Sequence, residues 1–169
     1  MADGTLKVGT ITNSAGSGNI TIGSGVTVNV NRPAFSITPS SGQSLANGVF
    51  SKVVFDTEEY DTDSAFADSK FTVPSGQAGK YCFISCPGSM TLSDGKVIAS
   101  YIYKNGSALS EAYQAYGTSG TSRNAVNHVA VLDLSVGDYI EIYAYQNQGS
   151  AETPDQTRNA FFRGYKLGA

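Results

Sequence analysis

The chain has 169 residues, 40% of them hydrophobic and 15% charged, with a formal charge of -3 at pH 7. That length argues for one domain with at most a short appendage, large enough to bury a core without metal or disulfide staples. No basic block occurs, which argues against nucleic acid as the main ligand, and no run approaches the ~18 apolar residues of a membrane span. The opening Met1-Ala-Asp-Gly-Thr-Leu-Lys7 contains no apolar segment resembling a signal peptide.

Residues 1–31 differ from the rest. Six glycines (Gly4, Gly9, Gly16, Gly18, Gly23, Gly25) separate short alternating pieces such as Thr10-Ile11-Thr12 and Val26-Thr-Val-Asn-Val30. Period-two alternation of β-branched residues is a strand signal, yet pieces this short cannot bury a core alone. The expectation is an arm over 1–31 that orders against other chains, with a flexible tail as the plainer reading, followed by a head over 32–169.

From Pro33 onward the expected strands are 33–38, 49–56, 66–73, 79–86, 97–104, 107–116, 124–134, 137–146 and 158–167. Asn105-Gly106 between two such runs marks a type I′ hairpin. Pro39, Pro74, Pro87 and Pro154 all fall between expected strands, where proline disrupts least. Eight to ten strands without helices mean a sandwich or barrel. Cys82 and Cys86 lie on one strand, their Cα atoms roughly 13 Å apart if extended, too far for a disulfide. Two reduced, buried thiols are expected, which suits assembly in a reducing cytoplasm.

Two strands carry apolar or aromatic residues on both faces. Along 79–86, Tyr81 and Phe83 oppose Cys82 and Ile84; along 137–146, Ile140, Ile142 and Ala144 oppose Tyr139, Tyr143 and Tyr145. The outer face of a two-layer sandwich is normally polar, so a cover is implied, most simply another copy of the chain.

These residues carry a family resemblance. Phe55, Asp61, Phe66, Phe71, Pro74 and Gly79-x-Tyr81-x-Phe83, then Lys104-Asn105-Gly106, Gly137-Asp138 and Phe162-x-Gly164-Tyr165, resemble the signature of complement component 1q globular heads over 33–167. Departures are two extra residues in Ser75-Gly-Gln-Ala78, a close Phe66–Phe71 spacing, and Ser85 in place of an aromatic. The resemblance implies an all-β, ten-stranded jelly roll of the tumour-necrosis-factor type, with the motif residues as core, assembled as a homotrimer. Thr5-Leu-Lys-Val-Gly-Thr-Ile-Thr-Asn-Ser-Ala-Gly-Ser-Gly18 resembles the opening of structural and fibre proteins of marine-type bacteriophages. Together the two imply a virion component assembled in the host cytoplasm.

Catalytic chemistry has little to work with. The single His128 shares a strand face with Val126, Ala130 and Leu132 and reads as a core or interface imidazole. No Gly-x-Ser-x-Gly elbow, phosphate loop or Cys–His metal spacing occurs. The window Asp56–Asp68 holds six acids, a possible calcium loop, but its spacing matches no complete calcium motif, and a solvated acidic loop is preferred. No enzyme, cofactor or metal site is expected.

The expected trimer interface is Tyr143, Tyr145 and Phe161, with Cys82 and Ile84 at the neighbouring face. The tight connections 74–79, 105–106 and 135–137 should share one end of the sandwich, and the polar loops 87–96, 117–123 and 147–157 the other. Arg123, Gln148 and Asp155 on those polar loops are the candidate contacts to a host surface glycan. The expected role is a trimeric fibre or decoration head, held to other virion proteins through 1–31. A capsid-clamping trimer that binds no receptor is the alternative, and a secreted lectin-like module a third.

Overall fold

The computed structural model describes residues 24, 32–118 and 122–168. The arm expected over 1–31 and the tip of the 117–123 loop lie outside the described residues.

Thirteen strands and one short helix are described: β1 Ala34–Thr38, β2 Ser51–Lys52, β3 Thr57–Asp61, β4 Phe66–Ala67, β5 Lys70–Thr72, β6 Gly79–Cys86, β7 Ser89–Leu92, β8 Val97–Lys104, β9 Ser107–Tyr116, β10 Ser122–Ala125, β11 His128–Leu134, β12 Tyr139–Gln146, α1 Gln156–Asn159 and β13 Phe161–Gly168. They form two antiparallel sheets. The first runs β11-β6-β13-β1-β3; the second runs β4-β5-β12-β8-β9, with β2 also paired to β12. A small β10–β7 ribbon closes one end. This is the jelly-roll sandwich the residues imply.

Alternation fixes which side chains meet between the sheets. Phe35, Ile37, Tyr81, Phe83, Leu134 and Phe162 from the first sheet face Phe71, Ile102, Ile140, Ile142 and Ala144 from the second. Phe35 lies 5.0 Å from Phe71, stacked, and 5.0 Å from Phe162, edge-on. Phe71 in turn lies 5.3 Å from Tyr81 and 5.7 Å from Phe83. Offset and edge-on ring pairs add to the area that the rings bury. Tyr81 is buried but keeps its hydroxyl satisfied on the Gln77 carbonyl at 2.6 Å, and burial pushes its pKa up to about 12.

Gly164 is required by this packing. A Cβ there would stand 2.6 Å from Cε1 of Phe35 and 2.7 Å from Cδ1 of Phe83. Because Gly164 points inward, Tyr165 points outward and is 45% exposed, so it is not a core residue as the motif implied. Gly137 and Asp138 likewise belong to an exposed turn rather than the core, and Phe66 is half-buried. Phe55, Phe71, Gly79, Tyr81, Phe83 and Phe162 are buried.

The strand map differs from expectation in several places, among them the expected strand 66–73, which folds back on itself as the β4–β5 pair. The acidic window is not all loop: Thr57–Asp61 pairs with β1 as the edge of the first sheet. Its charged side chains suit an edge that must not recruit another strand. The expected strand 49–56 is reduced to Ser51–Lys52, the run 124–134 is broken at Val126-Asn127, and β7 is an additional strand. Residues 156–159 form a helical turn ahead of the last strand.

The two ends differ as expected. At the tight-turn end, Asn105 (φ 53°) and Gly106 (φ 78°) adopt the left-handed pair of a type I′ turn. The Asn105 amide donates to Asp138 Oδ1 at 2.8 Å, while its Oδ1 accepts the Tyr139 N–H at 2.9 Å. Asp138 also accepts the Ser135 N–H at 2.9 Å and pairs with Lys104 at 2.8 Å. Those bonds to Lys104, Asn105 and Ser135 lower its pKa to about 2. The polar loops gather at the opposite end, joined by Gly95–Gly117, Ser89–Asp155 and Leu45–Glu152 backbone bonds.

Candidate functional site

Three surfaces hold the residues singled out by sequence: the outer face of each sheet and the polar-loop end.

On the first sheet, antiparallel register places side chains in rows across the strands. One row runs Val131–Cys82–Tyr165, the next Val129–Ile84–Arg163. Val129 and Val131 are 48% and 59% exposed, and Leu167 on β13 is 42% exposed. Cys82, between Val131 and Tyr165, is itself buried. Its hydrogen bond to the Tyr165 hydroxyl raises that tyrosine's pKa. Phe161 sits on the same outer face beneath the Arg163 guanidinium, 4.7 Å from the ring centre. Beyond Arg163 the face turns polar: Arg163 Nε donates to Ser36 Oγ at 2.9 Å, and that hydroxyl donates to Glu59 at 2.6 Å.

Tyr143 and Tyr145 are elsewhere. They project from β12 on the outer face of the second sheet, since Ile142 and Ala144 occupy its inner face. The five expected interface residues therefore divide into Cys82, Ile84 and Phe161 on one face and Tyr143 and Tyr145 on the other. Alternation gave the phase of each strand correctly, but the sheet to which a strand belongs comes from long-range pairing.

The second sheet's outer face is an aromatic array. Tyr101 and Tyr103 on β8 stand beside Tyr143 and Tyr145 on β12, and Phe50 leans over from the loop before β2. Tyr103 and Tyr143 stack at 3.9 Å. Phe50 lies 4.9 Å from Tyr101 and 5.1 Å from Tyr145, and is 48% exposed. Among the rings, Glu141 is buried and pairs with Lys52 Nζ at 2.7 Å. Lys70 stands 5.2 Å over Tyr139. Burial beside Glu141 raises the Tyr143 hydroxyl. The Tyr101-Ile-Tyr103 alternation is a sequence signal for this face; Phe50 and Lys52 carry none.

At the polar-loop end, the candidate glycan contacts are already engaged. Arg123 donates through Nε to Ser89 Oγ at 3.0 Å and forms an ion pair with Asp155. Gln148 accepts the Ser93 N–H and donates to the Thr91 carbonyl, both at 3.0 Å. Arg123 and Asp155 line a polar recess of about 240 Å³ that does not include Gln148. Loops without secondary structure must satisfy their backbone groups, and Gln148 does so, while Arg123 and Asp155 tie the loops together side chain to side chain. The sequence missed two buried glutamines with the same task. Gln146 donates to the Leu45 and Ser150 carbonyls at 2.9 Å each, and Gln156 binds Gln43 and Pro87.

The acidic window is similarly occupied. Asp56 accepts two bonds from Ser40, which lower its pKa, and Asp61 accepts the Phe66 N–H at 2.8 Å. Asp56, Glu58 and Asp68 rim a recess of about 330 Å³ floored by Ile37, Phe55 and Phe66. Among the described residues no group of three His, Cys, Asp or Glu side chains is placed to hold a metal ion. His128 is buried between the sheets, 3.2 Å from the Ser100 carbonyl and 4.6 Å from the Tyr113 ring. Cys82 and Cys86 are both free and buried, and burial raises the Cys86 thiol.

No family model matches the chain, and no curated protein matches it. Solved structures do. The globular domain of zebrafish complement 1qA protein superposes with a TM-score of 0.61 at 19% identity, covering 82% of this chain and 98% of that one. Murine APRIL at pH 5.0 gives 0.58 at 15% identity, covering 81% and 100%. At pH 8.0 it gives 0.58 at 14% identity. The chain thus has the jelly-roll fold that complement 1q heads and APRIL share.

Proposed function

We propose that the chain is the head of a homotrimeric virion surface protein, assembled through the apolar outer face of β11, β6 and β13 and attached to the particle through residues 1–31. The observation that carries it is the Val129, Val131, Ile84, Tyr165 and Leu167 surface on one side of a sheet. Among the described residues the only helix is the four-residue turn at 156–159, so none overlies this face. A contiguous aliphatic and aromatic face suits a permanent interface between copies. A closed three-fold ring is heterologous: this face meets a different surface of the next copy, so the face need not complement itself. The complement-type motif supports the trimer, and the phage-type opening Thr5–Gly18 supports the virion.

Sedimentation velocity at micromolar concentration tests the assembly. The expected species contains three 17.7 kDa chains. Val131→Asp, which puts a carboxylate into that face without touching the core, is expected to leave a folded monomer. A wild-type chain that sediments as a stable monomer overturns the reading.

A capsid-clamping decoration trimer is a second reading. It is favoured by the closed polar loops, where Arg123, Gln148 and Asp155 bond to their own neighbours. Copy number on the particle separates the two: hundreds indicate decoration, and a few trimers at the tail indicate host attachment.

A further inference from the structure

We propose that the aromatic outer face of the second sheet, formed by Phe50, Tyr101, Tyr103, Tyr139, Tyr143 and Tyr145, is a docking platform for a neutral polysaccharide. The proposal deepens the reading of the chain as a surface head, and it moves the glycan contact from the loops to a sheet face.

The geometry is that of a shallow, prearranged platform. β8 and β12 are paired over their whole length, from Ile140–Lys104 to Gln146–Ile98, so Tyr101 and Tyr143 stand directly opposite one another. Residues two apart on a strand are about 6.7 Å apart, and adjacent strands about 4.8 Å. The rings hold one another in place through the Tyr103–Tyr143 stack and the Phe50 contacts to Tyr101 and Tyr145. Tyrosine has few rotatable bonds, so such a surface binds at low cost in side-chain entropy.

Charge selects the partner. Lys52 and Glu141 neutralise one another at 2.7 Å, and Lys70 is turned onto the Tyr139 ring. Among the described residues, a polyanion finds no basic cluster here, and a polycation no free row of carboxylates. A purely apolar partner would bury the tyrosine hydroxyls and the paired charges without replacing their water, which is unfavourable. A sugar ring offers what remains: an apolar C–H face to lie on an aromatic ring, and hydroxyls at its rim for the tyrosine oxygens. The face lies opposite the β11-β6-β13 surface assigned to assembly, so a trimer presents it three times, which multiplies weak contacts.

The test is affinity electrophoresis of the full chain in native gels cast with dextran, galactomannan or arabinoxylan, with polygalacturonate as the anionic arm. Retardation is expected in at least one neutral gel. Phe50→Ala and Tyr101→Ala should each weaken it about tenfold, the size of one lost aromatic contact. Tyr101→Phe, which keeps the ring, controls for folding and should retain most of the binding, and Arg123→Ala should leave it unchanged. The proposal is overturned if no neutral gel retards the chain, if only polygalacturonate does, or if the ring-removing variants migrate as wild type does. It is also overturned if the face instead drives concentration-dependent growth beyond the trimer that Phe50→Ala abolishes. Sedimentation of the same samples keeps the two readings apart: a trimer that ignores every neutral gel overturns only the platform, and a retarded monomer only the trimer.

Discussion

Gly164→Ala is the sharpest probe of how the sandwich is packed. The added methyl would stand 2.6 Å and 2.9 Å from two atoms of the Phe35 ring and 2.7 Å from the Phe83 ring. Carbon atoms in good contact are about 3.5–4.0 Å apart, so both rings must retreat by about 1 Å. They have nowhere to go: Phe35 is held at 5.0 Å by Phe71 on one side and by Phe162 on another. Overpacking a filled core costs about 1–3 kcal/mol, against about 0.4–1 kcal/mol that alanine gains by restricting the unfolded chain. A net loss of about 1–2 kcal/mol is expected, lowering Tm by about 2–8 °C. Urea unfolding followed by far-UV circular dichroism reads it directly. Gly168→Ala, on the same strand with no atom within 4 Å of its added methyl, should stay within about 0.5 kcal/mol of wild type. A Gly164→Ala chain as stable as the Gly168→Ala chain would refute the packing argument.

Asp138→Asn should cost about 1–2 kcal/mol, because a carboxylate bonded to Lys104, Asn105 and Ser135 becomes a neutral amide. The folded carboxyl ionises below its ordinary value of 3.8, at about 2. Its contribution is therefore complete above pH 3.8 and fades as pH falls toward 2, so the variant's deficit in urea unfolding should shrink across that window. Arg123→Ala removes a surface ion pair with Asp155 and a bond to Ser89. It should cost less than about 1 kcal/mol by the same assay, the range of exposed pairs.

Much of this fold is legible in the residues, for a physical reason. His128–Leu134 alternates because one of its faces lies in the core, Gly79–Cys86 and Tyr139–Gln146 stand out as long apolar runs, and Asn105-Gly106 names its own turn. The strands that escaped are those whose burial does not alternate. Thr57–Asp61 is exposed along most of its length, an edge strand written in charged residues, so it reads as loop. Ser89–Leu92 follows Pro87-Gly88 immediately, and its strand partner is the short β10. Tyr165 shows another limit. A motif fixes which residues recur, but the inward turn of Gly164 is set by two rings, one of them more than a hundred residues away in the chain. The expected interface residues divide between two faces for the same reason: the phase of a strand is local, and its sheet is not.

An antiparallel sandwich can leave its outer faces to water, and its loops are where binding residues usually concentrate. The functions proposed above reverse that distribution. The polar loops use Arg123, Gln146, Gln148, Asp155 and Gln156 to bond their own backbone and one another. The two faces, by contrast, keep apolar and aromatic side chains half in water, aliphatic on one side and tyrosine-rich on the other. That difference in chemistry separates their roles. Valine, isoleucine and leucine offer area with no hydrogen-bonding group to satisfy, which suits permanent burial against another copy. Tyrosine offers a flat ring with a polar tip, which tolerates both water and a hydrated ligand. On the reading proposed above, a partner is to be sought along the strands of this chain, and substitutions at the loop tips should change binding little.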